Sequence, residues 1–375
     1  MDVIICSGND GFMTTPPRII TPPCAAPGAP SPLAATGRPL RWGVVSTGKV
    51  AAKVSGDLAL LEDSVLQAVS SRVAENALAF RDQFGFSTAY FDNDGGKGYE
   101  QLFADPDVDI VYVATPHGQH YEIARSALEA GKNVLCEKSL TINAREALEL
   151  AELARNNSLF LMEAVWTRFL PIVHRAWEIL HSGELGVIQW LQADIGFPAP
   201  YEAAARLWNP AAGGGALLDL TVYPLTWALG TLGFPQTISA VGHINDDGVD
   251  AQNALTLTYS SGAQAQLTSS LLASSPRTAT VCGSNGWLRT NSPLHNPTEL
   301  IIREHNGTPR IETFEPVGQN YVYELRDVTR CIQQGMLENP TMPLDDTLNT
   351  MRLFDGIRAQ LGVSYVNDRA VPVAD

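Results

Sequence analysis

The sequence predicts an α/β chain, with an N-terminal doubly wound parallel sheet followed by an α+β domain built on a large, mainly antiparallel, open-faced sheet. Two observations predict it. Between residues 41 and 162, short runs that are apolar throughout alternate with amphipathic stretches of helical length, as parallel strands covered on both faces do. From residue 187 to 303 the strand-like runs are separated by turn signals such as Ser260-Ser261-Gly262 and Ser284-Asn285-Gly286. There Ala263, Ala265, Leu267 and Ser269 alternate with Gln264, Gln266, Thr268 and Ser270, the period of a strand with one covered face. Length agrees, since 375 residues at 45% hydrophobic content can bury two cores.

Residues 1–40 are rich in Pro, Thr, Ala and Gly and read as a flexible arm, with Met13 a candidate start. The first domain is expected over 41–163 and the second over 164–375. Residues 42–45 are a brief apolar strand, Ser46-Thr47-Gly48 a turn, and 49–61 a helix. Strands follow at 65–70, 110–114, 133–136 and 159–162, with helices at 74–84, 121–130 and 141–156, the last with Asn143 as its N-cap. In the second domain a helix is expected at 172–182, and strands at 187–196, 237–244, 253–259, 264–271, 277–282, 287–290 and 299–303. Helices at 321–334 and 345–361 close the chain.

The strand-turn-helix at 41–51 is the start of a Rossmann unit, in which a pyrophosphate rests on the first amides of the helix. Ser46-x-Gly48-x-x-Ala51 matches the glycine fingerprint except at its first position, where serine is tolerable if its backbone keeps a negative φ. Ser46, Thr47, Gly48, Lys49 and Val50 are therefore expected at the phosphates. The second strand ends in Ser70-Ser71-Arg72, where a site for NAD would place an acid against the ribose 2′-hydroxyl. A hydroxyl followed by a guanidinium suits a 2′-phosphate, so Ser71 and Arg72 favour NADP over NAD; the alternative is a solvated arginine at a strand end.

Loops at the carboxyl ends of parallel strands hold the ligand of such a sheet. That places Thr115, Pro116, His117 and His120 beside the cofactor, although a helix-start histidine satisfied by local hydrogen bonds reads equally well. Glu137 and Lys138 end the next strand and face the same crevice, unless the lysine is simply solvated. Further on, Asp219 and Tyr223 stand four apart, and Pro224 implies a kink or a first helical turn beside them. A carboxylate, a phenol and a lysine near a nicotinamide make a proton-transfer site for alcohol oxidation, the plainer roles being a cap and a core aromatic.

The formal net charge of -15 disfavours nucleic-acid and membrane-surface partners and leaves a small-molecule substrate. Five cysteines without a Cys-x-x-Cys pair read as reduced thiols of a cytoplasmic protein. No apolar run reaches the length of a membrane helix.

Taken together, the Rossmann start, Glu137-Lys138, the stretch from Met162 to Phe169 and Gly214-Gly215-Ala216-Leu217-Leu218-Asp219-x-x-x-Tyr223 resemble the glucose-fructose oxidoreductase and inositol dehydrogenase family. The narrower resemblance is to its branch of dimeric dihydrodiol dehydrogenases and NADP-dependent D-xylose 1-dehydrogenases, over residues 41–367. It implies Lys138 and Asp219 as the family's catalytic pair, Tyr223 at the position where that branch has tyrosine, Trp166 at the cofactor, and a homodimer paired through the open sheet. An aldose such as D-xylose, oxidised at C1 to the lactone, is the first substrate expectation. A trans-dihydrodiol or a dicarbonyl is the second, and a non-catalytic NADP-binding sensor is a reading of another class. Trp166, Arg168, Phe169, Phe197 and Trp208 are the candidate pocket walls. The chain departs from the family pattern at Ser139, where Glu-Lys-Pro is usual, and at Ser46.

Overall fold

The computed structural model describes residues 4–5 and 19–368. They fall into two compact units, neither continuous in sequence. The first takes residues 21–169 and 316–348, and the second takes 170–315, 349–368 and the described residues before 21. A two-residue strand, β1 (Ile4–Ile5), belongs to the second.

The first unit runs β2 (Leu40–Val45), α1 (Lys49–Leu58), β3 (Ser64–Ser71), α2 (Ala74–Phe84), β4 (Thr88–Phe91), α3 (Gly98–Ala104), β5 (Ile110–Val113), α4 (His117–Glu129), β6 (Asn133–Glu137), α5 (Ala144–Asn156) and β7 (Leu161–Ala164). Its six strands are parallel in the order β4-β3-β2-β5-β6-β7. The strand order reverses between β2 and β5, which opens a crevice at their carboxyl ends. Val44, Tyr112, Leu135 and Met162 are fully buried, because helices cover both faces of the sheet. Asn143 caps α5 by accepting the Glu146 N–H at 3.0 Å, as its side-chain chemistry predicts. The sheet has one strand more than the sequence predicts: β4 is a half-buried edge strand without a strong apolar pattern, and α3 follows it.

The second unit runs α6 (Pro171–His181), β8 (Ile188–Gly196), α7 (Val222–Leu232), β9 (Thr237–Ile244), β10 (Asp250–Thr258), β11 (Gln264–Ser270), β12 (Ala279–Gly283), β13 (Gly286–Thr290), β14 (Glu299–Glu304) and β15 (Arg310–Thr313). Its nine strands lie in the order β1-β9-β10-β11-β8-β12-β13-β14-β15, all antiparallel except β8 beside β11. The alternation in β11 is as predicted: Ala265, Leu267 and Ser269 are buried, while Gln264 and Thr268 are exposed. Helix α7 packs on β8 and β11. Trp190 and Val241 remain exposed on their strands.

Helix α8 (Val322–Gln333) and the start of α9 (Leu344–Leu361) belong to the first unit, and α8 corrects the expectation of a flexible arm up to residue 40. Buried Arg326 donates to the Pro32 carbonyl at 2.8 Å, the Leu33 carbonyl at 3.2 Å and Thr36 Oγ1 at 2.9 Å, and pairs with Asp63 at 2.6 Å. A proline-rich segment holds few intrinsic hydrogen bonds, so its carbonyls were available to satisfy a buried guanidinium. The remainder of the expected arm, residues 1–3 and 6–18, lies outside the described residues. Among the described residues no helix is long and apolar enough to cross a membrane.

Candidate functional site

A cavity of about 360 Å³ opens at the carboxyl ends of β2 and β3 in the first unit. Six of the predicted residues line it, namely Ser46, Thr47, Ser71, Arg72, Thr115 and Pro116. Gly48 is the N-cap of α1 and has extended backbone with no side-chain cap, so the first amides of that helix, at Lys49 and Val50, have no capping side chain. Ser46 corrects the sequence reading: its φ is 112°, the region that favours glycine. Its Oγ accepts the Gly48 N–H at 3.1 Å, a local hydrogen bond that helps hold the turn against this strain.

Arg72 is exposed and has no ion-pair partner among the described residues. Sequence reasoning missed Asn76, Asp92, Lys97, Tyr99 and Glu122, which line the same cavity. Lys97 Nζ lies 2.7 Å from Glu122 and 2.8 Å from the Tyr99 hydroxyl, and its hydrogen bond holds the Glu122 carboxyl below its ordinary range. Thr115 Oγ1 is buried in the cavity wall without a hydrogen-bond partner. An uncapped helix start, an orphaned hydroxyl and an unpaired guanidinium around one cavity fit a phosphorylated nucleotide.

The loop beyond β5 and the end of β6 carry the next candidates. His120 is fully buried, with Nδ1 2.8 Å from the Ser139 carbonyl and Nε2 2.8 Å from the Thr115 carbonyl, so its ring bridges two loops. Burial lowers its pKa. Glu137 accepts from the Tyr112 hydroxyl at 2.5 Å inside the core, where burial and the carboxylate push that phenol well up. His117 starts α4 with Nε2 3.2 Å from the Lys138 carbonyl. Lys138 is buried at the strand end, and the Lys138–Ser139 peptide is cis. Beneath it Glu163 accepts from the Leu140 N–H at 3.0 Å and the Thr347 hydroxyl at 2.9 Å. Burial pushes its carboxyl up to about 7, against which these hydrogen bonds and the charges of Arg168 and Lys138 work. Trp166 stacks on Tyr321 with ring centroids 4.4 Å apart. Of the candidate pocket walls in this unit, Arg168 pairs with Asp346 at 2.7 Å and Phe169 is core.

In the second unit, residues Leu217–Thr221 form a π-turn that runs directly into α7. Asp219 lies within the turn, and Tyr223 and Pro224 fall in the first turn of α7, where proline is tolerated. Asp219 pairs with Arg206 at 3.0 Å, a partner absent from the sequence reading. The Tyr223 ring lies 4.8 Å from that of His295. Trp208 donates to the Pro200 carbonyl at 2.9 Å, and Phe197 is exposed.

The fold and these sites define an oxidoreductase with a nicotinamide-nucleotide Rossmann domain. Residues 40–165 match the model of the oxidoreductase family with NAD-binding Rossmann fold, GFO/IDH/MocA, and residues 173–289 match the GFO/IDH/MocA C-terminal domain. The trans-1,2-dihydrobenzene-1,2-diol dehydrogenase of Mus musculus is 36% identical over 343 residues, which cover 88% of this chain and 99% of the relative. Its Homo sapiens counterpart is 33% identical over the same shares. A 3-ketoreductase from Actinomadura kijaniata in complex with NADP and TDP-benzene superposes with TM-score 0.76 at 28% identity, over 86% of this chain and 98% of its own. The aldose-aldose oxidoreductase from Caulobacter crescentus, complexed with glycerol, gives TM-score 0.76 at 25% identity, over 86% and 97%. The chain belongs to the GFO/IDH/MocA oxidoreductase family. It is an enzyme of the dehydrogenase class.

Proposed function

We propose that this enzyme oxidises a secondary alcohol of a ring-borne diol with NADP. The observation that carries the cofactor is Arg72, an unpaired guanidinium on a cavity that Ser46, Thr47 and Ser71 also line. Identity to dihydrodiol dehydrogenases along nearly their whole length favours a trans-dihydrodiol as substrate. The anomeric carbon of an aldose such as D-xylose is the second reading, supported by the likeness to the aldose-aldose oxidoreductase.

On this reading Ser71 and Arg72 hold the 2′-phosphate, and the amides opening α1 hold the pyrophosphate. NADP, when bound, supplies the hydride acceptor. Tyr223 accepts the substrate hydroxyl proton. A phenol near pKa 10 is a poor base at neutral pH, so Lys138 is assigned to favour the phenolate and to stabilise oxyanion character on the substrate. Asp219, already ion-paired with Arg206, orients the substrate and does not take the proton. The exposed residues of the nine-stranded sheet, Trp190 and Val241 among them, are assigned to a homodimer. Light scattering should then return a mass twice that of the chain.

A panel of trans-dihydrodiols and aldoses, followed by NADPH absorbance, tests the substrate. The proposal expects turnover on at least one diol. Activity confined to aldoses selects the second reading, and NADP binding without turnover on either class rejects both.

A further inference from the structure

The π-turn has its own anchor. Asp250, the first residue of β10, is fully buried, and its Oδ2 accepts the Leu217 N–H at 2.8 Å and the Asn253 amide at 2.9 Å. Leu217 opens the turn and Thr221 closes it. Asn253 also donates to Thr221 Oγ1 at 3.1 Å, and that hydroxyl lies 2.9 Å from Ser269 Oγ on β11. One carboxylate therefore grips both ends of a five-residue turn, one end directly and the other through an amide.

The remaining oxygen, Oδ1, is buried with no hydrogen-bond partner. It abuts Gly215, where a Cβ would come within 2.2 Å of it, and Gly215 holds φ 115°. Burial pushes the Asp250 carboxyl up to about 7, while the Asn253 and Leu217 hydrogen bonds act the other way. The titratable neighbour is Tyr365, which donates to the Gly214 carbonyl at 2.6 Å and has Arg358 over its ring at 5.3 Å. A half-satisfied buried carboxylate is expensive for an ordinary strand start, and single π-turns, which are rare, frequently sit at functional sites.

We infer that Asp250 is a positioning residue, which holds the π-turn open so that Asp219 and Tyr223 stand in their working places. The inference rests on the roles proposed above for those two residues. One buried oxygen serving two donors resists the collapse of the turn into regular α-helix, which would shift Asp219 against α7.

Asp250→Asn keeps the shape and removes the charge. It should lower kcat ~10- to 100-fold, the worth of a charge-assisted hydrogen bond, while KM and the NADP dissociation constant stay within about twofold. Amide exchange over residues 217–221 should quicken by a comparable factor. Thr221→Val, which cuts the far end of the same grip, should change both measurements in the same direction and decides the matter if Asp250→Asn does not fold. Normal exchange in the variants overturns the inference, and so does faster exchange with normal turnover. If Tyr223→Phe also turns over normally, the failure lies in the proposed function, because the exchange measurement does not depend on it.

Discussion

Replacing Arg72 with Ala tests the cofactor assignment through a charge balance that can be counted on the cavity wall. Arg72 and Lys97 are its cations, Asp92 and Glu122 its carboxylates. Lys97 is committed to Glu122 at 2.7 Å, and the Asp92 carboxylate accepts the Gly98 N–H at 2.8 Å. Arg72 is thus the cation left for a phosphate, and without it the wall carries one net negative charge. A hydrogen bond to a charged group contributes ~1.5 to 3 kcal/mol. Arg72 is exposed, so water screens it and the lower half of that range applies. About 1.5 to 2 kcal/mol weakens NADP ~12- to 30-fold. NAD, which lacks the 2′-phosphate, should change by less than about twofold. Titration calorimetry with both nucleotides at two salt concentrations measures this, and the ratio should shrink at higher salt as screening grows. Equal losses for the two nucleotides, or none, would refute the assignment.

Three further outcomes are expected. Tyr223→Phe keeps the ring and loses the proton acceptor, so kcat should drop ~10²- to 10⁴-fold with NADP affinity retained; near-normal steady-state turnover places the acceptor elsewhere. Glu163 has a folded-state pKa of about 7 against an ordinary 4.5. The raised value favours the protonated carboxyl, so this group's stabilising contribution is complete below pH 4.5 and lost as pH rises through 7. Glu163→Gln should therefore gain stability over the parent at pH 8, on the order of 3 kcal/mol, and little at pH 4; urea melts with a pH-independent gap would contradict this. Arg326→Met leaves Asp63 buried without its cation and should cost ~3 to 5 kcal/mol in the same melts, an unchanged midpoint being the contrary result.

The parallel sheet was legible because strands such as β5 are apolar throughout and β6 has an apolar centre, Val134 to Cys136, between stretches of helical length. β4 was not, since an edge strand half open to water carries no such signal. Ser71 and Arg72 were found from their distance to the glycine turn, a spacing the Rossmann unit imposes. Lys97 and Glu122 lie 25 residues apart and meet only through folding. His120 was ambiguous because a histidine at a helix start can bond to carbonyls or face a ligand, and the Ser139 and Thr115 carbonyls beside its ring are brought there only by folding. The φ of Ser46 and the role of Asp250, which reads as an ordinary strand start, leave no trace in residue type.

Arg326 has a consequence for how the chain is made. Asp63 and the carbonyls of Pro32 and Leu33 are synthesised long before the guanidinium that satisfies them, and Thr347, which donates to Glu163, comes later still. A nascent chain halted after β7 holds every strand of the parallel sheet and none of these partners. At ~5 to 20 residues per second the ribosome leaves that sheet waiting for ~10 to 40 seconds with Asp63 lacking its cation and Glu163 lacking one of its two donors. The family's Rossmann segment, residues 40–165, is in this protein a recognisable sequence but an incomplete folding unit. A fragment cut at its boundary should expose apolar surface and need a chaperone, whereas the full chain closes on itself.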